Sequence, residues 1–184
     1  MNSSIFFNKA FRCAALASAV ALGVFGASNS FAAEATTTSS ATVIAPITIT
    51  KSADLIFGKF APGTGAGTVT VSTSGARTAT GGAILSTIGS TPTAAQFDVT
   101  GDNEATYGIT WSGDTELSDG EESTMTLTRI SELTAAGGVT GEVTSGTLDT
   151  SGAQSIYLGG VLAVGEGQVA GTYTGAVTAT VEYN

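Results

Sequence analysis

The chain closes on Gly171-Thr172-Tyr173-Thr174-Gly175-Ala176-Val177-Thr178-Ala179-Thr180-Val181-Glu182-Tyr183, followed by Asn184. Tyr173, Val177, Ala179, Val181 and Tyr183 fall on one face of this stretch, with Gly175 among them. Thr172, Thr174, Thr178, Thr180 and Glu182 fall on the other. A period of two is the period of a β-strand, and so regular an alternation predicts that one face is buried, because a slip of one residue would turn every Val and Tyr into water. The prediction is a long terminal strand from Thr172 to Tyr183. Gly171 stands at its start, where it permits a close backbone approach.

Upstream, no segment after Ala32 carries a sustained 3.6-residue apolar period, whereas several short alternating segments are bounded by Gly, Asp, Asn or Pro. The predicted strands are Thr42 to Thr50, Leu55 to Phe60, Thr68 to Ser72, Ala83 to Ser86, Gln96 to Thr100, Thr106 to Trp111, Thr124 to Ile130 and Ser155 to Val164. Gly101-Asp102-Asn103-Glu104-Ala105 reads as the turn of a hairpin. Gly63-Thr64-Gly65-Ala66-Gly67 reads as another hairpin loop, because no Lys-Ser/Thr follows to make it a phosphate loop. Ala135 to Gly152, rich in Gly, Thr and Ser, reads as a long surface loop or a weak edge hairpin. Trp111, Phe57, Phe97 and Tyr107 read as core rather than as a sugar-stacking platform. Short strands without crossover helices favour an all-β antiparallel sandwich over a parallel sheet.

Met1 to Arg12 carries Lys9 and Arg12 and no acid, Cys13 to Phe25 is a short apolar run, and Ser30-Phe31-Ala32 offers small residues around a cleavage point. That pattern predicts a signal peptide over residues 1–32, too short in its apolar part to span a bilayer as a helix. Residues 33–50 then form an N-terminal extension and residues 51–184 the sandwich. Cleavage removes the only cysteine, Cys13, so the mature chain has no disulfide even though an exported compartment permits one. It keeps 4 basic residues against 15 acidic ones, a net charge of −11, which disfavours nucleic acid as a partner. Charged residues are only 11% of the chain, so Thr, Ser and Gly must build the polar surface.

The chain contains no His, and the mature part no Cys, which excludes Ser-His-Asp, Cys-His and His-based zinc chemistry. Leu148-Asp149-Thr150-Ser151-Gly152 is a single, imperfect copy of an Asp-Thr-Gly loop and reads as a turn. Nothing singles out two carboxylates as a glycosidase pair. Asp114, Glu116, Asp119, Glu121 and Glu122 offer oxygen ligands for calcium, but their spacing does not fit an EF-hand loop. The expectation is a non-enzymatic chain without a cofactor.

Ala41-Thr42-Val43-Ile44-Ala45 and then Leu55-Ile56-Phe57-Gly58-Lys59-Phe60-Ala61-Pro62-Gly63 resemble the beginning of spore-coat-U-like pilins of the archaic chaperone–usher pathway. They also resemble a related bacterial secreted family of unknown function, whose Leu-x-Phe-Gly box is followed by Gly-Thr-Val, here Gly67-Thr68-Val69. Gly171, the alternation from Val177 to Val181 and the penultimate Tyr183 are similar to the C-terminus of chaperone–usher pilins. The resemblance implies an immunoglobulin-like, pilin-like sandwich with a groove along its last strand. The N-terminal extension of another copy or a related subunit would fill that groove by β-augmentation. It further implies a pilus- or fimbria-like structural or adhesive subunit at the cell surface, with a periplasmic chaperone and an outer-membrane usher as partners. Val43, Ala45, Ile47 and Ile49 would supply the donor face, and Gly171, Tyr173, Val177, Ala179, Val181 and Tyr183 the acceptor strand. Burying the Val and two Ile would contribute on the order of 5 to 9 kcal/mol before ordering costs.

Two other readings compete. One is a self-complete monomeric sandwich, secreted or on the cell surface, that binds carbohydrate or calcium and pairs Val43 to Ile49 within its own chain. The other is a small outer-membrane barrel, for which the eight aromatic residues of the mature chain leave no girdles.

Overall fold

The computed structural model describes residues 32–184. The predicted signal peptide lies, up to residue 31, outside the described residues. Thr42–Asn184 forms one compact unit. It is an all-β, immunoglobulin-like antiparallel sandwich built from β1 (Thr48–Ala53), β2 (Phe60–Ala61), β3 (Gly67–Val71), β4 (Arg77–Gly81), β5 (Ile84–Leu85), β6 (Ala95–Thr100), β7 (Thr106–Gly113), β8 (Glu116–Ser118), β9 (Thr124–Glu132), β10 (Ser145–Thr147), β11 (Ala153–Val164) and β12 (Val177–Tyr183). Among the described residues, no helix is long and apolar enough to cross a membrane.

The organising element is β11, whose inward residues Ile156, Leu158, Leu162 and Val164 are all buried. Along one edge it pairs first with β6, over Ala153 to Leu158, and then with β3, over Gly160 to Val164. Its other edge pairs with β9. The fork between β6 and β3 falls at Gly159 and Gly160, and at Gly159 the absence of a side chain lets the end of β3 come close. From the fork the large sheet runs outward to β1 on one side and to β4 on the other. A second sheet, β10-β7-β12, covers the first. Between the two layers lie Phe97, Val99, Ile156 and Leu158 from the large sheet and Tyr107, Ile109 and Val181 from the small one. A second cluster of Phe57, Val69, Val71, Met125, Leu127, Leu162 and Val164 fills the other half of the molecule.

β6 and β7 were expected to form a hairpin, and they do not pair. β6 lies between β1 and β11, and β7 between β10 and β12, so residues 101–105 arch from one sheet to the other. Both strands carry a buried alternate face, and two such faces bury each other better across the core than side by side. The arch meets its backbone needs through Gly101 N–H to Gly152 O (2.9 Å), Glu104 N–H to Asp149 O (3.1 Å) and Leu148 N–H to Ala105 O (2.9 Å). Glu104 alone among the described non-glycine residues takes a positive φ, 58°.

Other expectations also change. The Gly63 to Gly67 stretch is a loop but not a hairpin turn, because β2 pairs with β5 and β3 with β4. Leu55 to Phe60 is not a continuous strand: Ile56 makes one bridge to Thr93, and the ladder begins only at Phe60. Gly58 has φ +75°, and Arg77 fills the space beside it, donating to the Phe57 carbonyl (2.9 Å), the Lys59 carbonyl (3.1 Å) and the Ser86 carbonyl (2.7 Å). The Ala135 to Gly152 stretch contains β10, and its Leu148 is fully buried in the core. Phe57, Phe97 and Tyr107 are buried as expected, and half-buried Trp111 packs edge-on to Phe97 with ring centroids 6.0 Å apart.

Candidate interaction edge

β12 keeps the predicted faces where it is a strand: Val177, Ala179, Val181 and Tyr183 turn to the core, and Thr178, Thr180 and Glu182 are exposed. The strand begins at Val177, not Thr172. Residues 172–176 instead leave the sheet and touch β8 through a bridge between Ser118 and Thr174. Tyr173 therefore belongs to the second core cluster, with its hydroxyl donating to the Val169 carbonyl (2.8 Å). Gly171 sits at an exposed bend where an added Cβ would meet nothing closer than 3.5 Å, so no close approach demands a glycine there.

β12 pairs with β7 over its whole length, from Val177 opposite Gly113 to Tyr183 opposite Tyr107. Asp114 N–H donates to Ala176 O (2.7 Å) and Asn184 N–H to Thr106 O (3.2 Å), which places the even-numbered residues in hydrogen-bonded pairs with β7. By the alternation of an antiparallel ladder, the N–H and C=O of Val177, Ala179, Val181 and Tyr183 point away from β7. Among the described residues these groups have no backbone partner, and β12 is an edge strand.

The other boundary of this open side is β1. It pairs only with β6, Thr48 opposite Thr100 and Ile49 opposite Val99, and it approaches β12. Ile47, Ile49, Val177, Ala179 and Tyr183 line the two rims, each half-buried against the first core cluster. The four predicted donor residues thus divide. Ile47 and Ile49 pack on the core of their own chain, and Ile49 is also laddered. Val43 is 95% exposed and Ala45 is exposed, and neither belongs to a strand.

One contact ties the two rims together. The Tyr183 hydroxyl accepts from Asp102 N–H (2.6 Å) and donates to the Ala45 carbonyl (2.9 Å). Gly101 makes room for it, since a Cβ there would collide with that hydroxyl oxygen.

Within the acidic run, Asp114 and Asp119 serve the backbone. Asp119 accepts from Glu121 N–H (2.9 Å) and Ser123 N–H (3.2 Å), and Asp114 from Ala176 N–H (2.7 Å). These backbone bonds, that from Glu121 foremost, hold the Asp119 carboxyl below the usual carboxylate range. No group of three His, Cys, Asp or Glu among the described residues is placed to hold a metal ion. The Asp149 carboxylate caps its own turn through Ser151 and Ala153, which lowers its pKa.

Two clusters were not foreseen. On the outer face of the large sheet, Asp98 accepts from Ser52, from Gln96 (2.9 Å) and from Ser155 (2.7 Å), joining β1, β6 and β11. The period-two alternation of Gln96, Asp98 and Thr100 was the available signal. Elsewhere buried Thr73 donates to Glu132 (2.6 Å) and accepts from Gly137 N–H (3.1 Å) and Gly138 N–H (2.8 Å), which holds the loop after β9 against the turn after β3. No local pattern announces a contact between residues so far apart in sequence.

No curated protein and no solved structure matches the chain. The family model for a domain of unknown function, DUF4402, matches residues 47–183. That match runs from the residue before β1 to the end of β12, and the chain therefore belongs to the DUF4402 family.

Proposed function

We propose that this protein is an exported structural or adhesive subunit, pilus- or fimbria-like, that assembles by β-strand donation along β12. The observation that carries the reading is the open side itself. Four successive outward-pointing backbone pairs, at Val177, Ala179, Val181 and Tyr183, have no partner among the described residues, and half-buried apolar side chains line the gap beside them. A strand laid there would gain main-chain hydrogen bonds along its length and cover apolar surface, the two sources of affinity in β-augmentation. An uncovered edge of this kind is also a liability for a protein that stays alone. The signal-peptide pattern and the resemblance to chaperone–usher pilins support an exported subunit, released to the periplasm or cell surface, with copies of itself, a chaperone and an usher as partners. The absence of His from the chain, and of Cys from the part after the leader, supports a role without catalysis.

A second reading has one observation in its favour. Thr48 and Ile49, the last two residues of the Val43 to Ile49 run that a self-complete monomeric sandwich pairs within its own chain, are laddered to β6. Such a monomer would bind carbohydrate or calcium on its own. The deciding experiment is the state of the purified mature protein. Strand donation predicts assemblies that survive mild denaturant and run as a ladder. A fully stable monomer at every concentration overturns it.

A further inference from the structure

The structure divides the N-terminal chain at Ala45. On one side, Ile47 and Ile49 pack on their own core and Thr48–Ala53 is laddered to β6. On the other, residues 33–44 are exposed and carry no strand. The Tyr183 hydroxyl holds the dividing point through the Ala45 carbonyl. A second copy that donated Val43 to Ile49 would have to withdraw both isoleucines from its own core and open its own β1 ladder. Pro46 would also leave a gap in the donors of the new pairing.

We propose that the segment a second copy lays along β12 is Ala35 to Val43, with Tyr183 marking where each chain stops belonging to its own sandwich. This rests on the strand-donation reading and specifies its partner. Ala35, Thr37, Ser39, Ala41 and Val43 share one face of that segment, and Thr36, Thr38, Ser40 and Thr42 the other. The inward face is small throughout. That suits the acceptor, where Val177, Ala179 and Tyr183 are half-buried and Val181 is buried, so little apolar surface is left for large side chains to cover. Length fits as well: nine extended residues span about 30 Å, against about 23 Å for the seven residues of β12. The segment carries no charge, so neither it nor the Val, Ala and Tyr rim opposes the pairing electrostatically.

The chain after Cys13 is free of cysteine, so disulfide trapping reads the contact directly. Two mature proteins, one carrying Ser39→Cys and the other Ala179→Cys, are mixed in denaturant, refolded together and oxidised. A parallel mixture pairs Ile49→Cys with Ala179→Cys. Each variant is first checked alone for a cooperative thermal transition like that of the parent. The expected result is a disulfide-linked dimer in the first mixture at least tenfold more abundant than in the second. A dimer formed mainly through position 49 overturns the assignment of the donor while leaving strand donation intact. Linkage in neither mixture, with both eluting as monomers, overturns both.

Discussion

Gly159 faces the carbonyl oxygen of Val71 so closely that a Cβ on it would collide with that oxygen and stand 2.9 Å from the Ser72 carbonyl carbon. This is the point where one edge of β11 passes from β6 to β3, and the two halves of the large sheet diverge from it. A glycine here is a packing requirement, since its φ is not in the left-handed region.

Gly159→Ala should therefore destabilise the fold by about 2 to 3 kcal/mol, the cost of overpacking against backbone that cannot swing aside. The thermal midpoint should fall by roughly 5 to 10 °C. Gly171→Ala, at a bend where the added Cβ makes only ordinary van der Waals contact, should stay within about 0.5 kcal/mol of the parent. Calorimetry of the two variants side by side checks the pair, and equal losses would remove the fork as the reason for the glycine.

Tyr107 and Tyr183 are register partners with opposite fates. The Tyr107 hydroxyl is fully buried and meets no hydrogen-bond partner among the described residues, and burial pushes its pKa up. Replacement by Phe should leave stability unchanged or raise it by up to about 1 kcal/mol, since an unpaired buried hydroxyl is removed. Tyr183→Phe loses two hydrogen bonds and should cost about 1 to 2 kcal/mol. Urea midpoints measure both. A loss at Tyr107 as large as that at Tyr183 would contradict the assignment of the unpaired group.

Hydrogen bonds from Ser52, Gln96 and Ser155 hold the Asp98 carboxyl below the ordinary carboxylate value, outweighing the small opposing effect of burial. Because the folded-state pKa lies below the unfolded one, the ionised carboxylate stabilises the fold above the unfolded value near about 4, and that contribution disappears as pH falls through the folded value. Stability should be level around neutral pH and decline below about pH 4. Asp98→Asn should be less stable at pH 7 and show a shallower acid decline, with Asp119 and Asp149, shifted the same way, supplying the slope that remains. Urea titrations at pH 7, 4 and 3 decide this, and parallel acid limbs for parent and variant would refute it.

The legible parts of the fold were those written in local alternation. Ala95 to Thr100, Thr124 to Glu132 and Val177 to Tyr183 show their inward and outward residues because a strand turns successive side chains to opposite sides wherever it lies. The short strands Arg77–Gly81 and Glu116–Ser118 have no counterpart among the predicted strands, since they are polar and their apolar residues are too few to mark a face, and Ser145–Thr147 is the edge strand of a stretch that reads as either loop or weak edge hairpin. Leu148 carries no local sign of its burial for the same reason, with Gly, Thr and Ser all around it. At the candidate edge, the apolar face of β12 was visible in advance, whereas the division of the N-terminal segment at Ala45 was not. It depends on which side chains reach a core assembled from strands and loops far along the chain.

By itself the amino-acid sequence determined an all-β chain, the side chains that each long strand would bury, and a residue inventory without histidine, because these depend only on composition and a period of two. The tertiary structure alone decided which strands are neighbours: that β6 and β7 face each other across the core, that β11 serves β6 and β3 along one edge, and that β12 keeps an open flank. Pairing partners are chosen by the mutual burial of faces far apart in the chain, and such a choice leaves no mark on either strand alone.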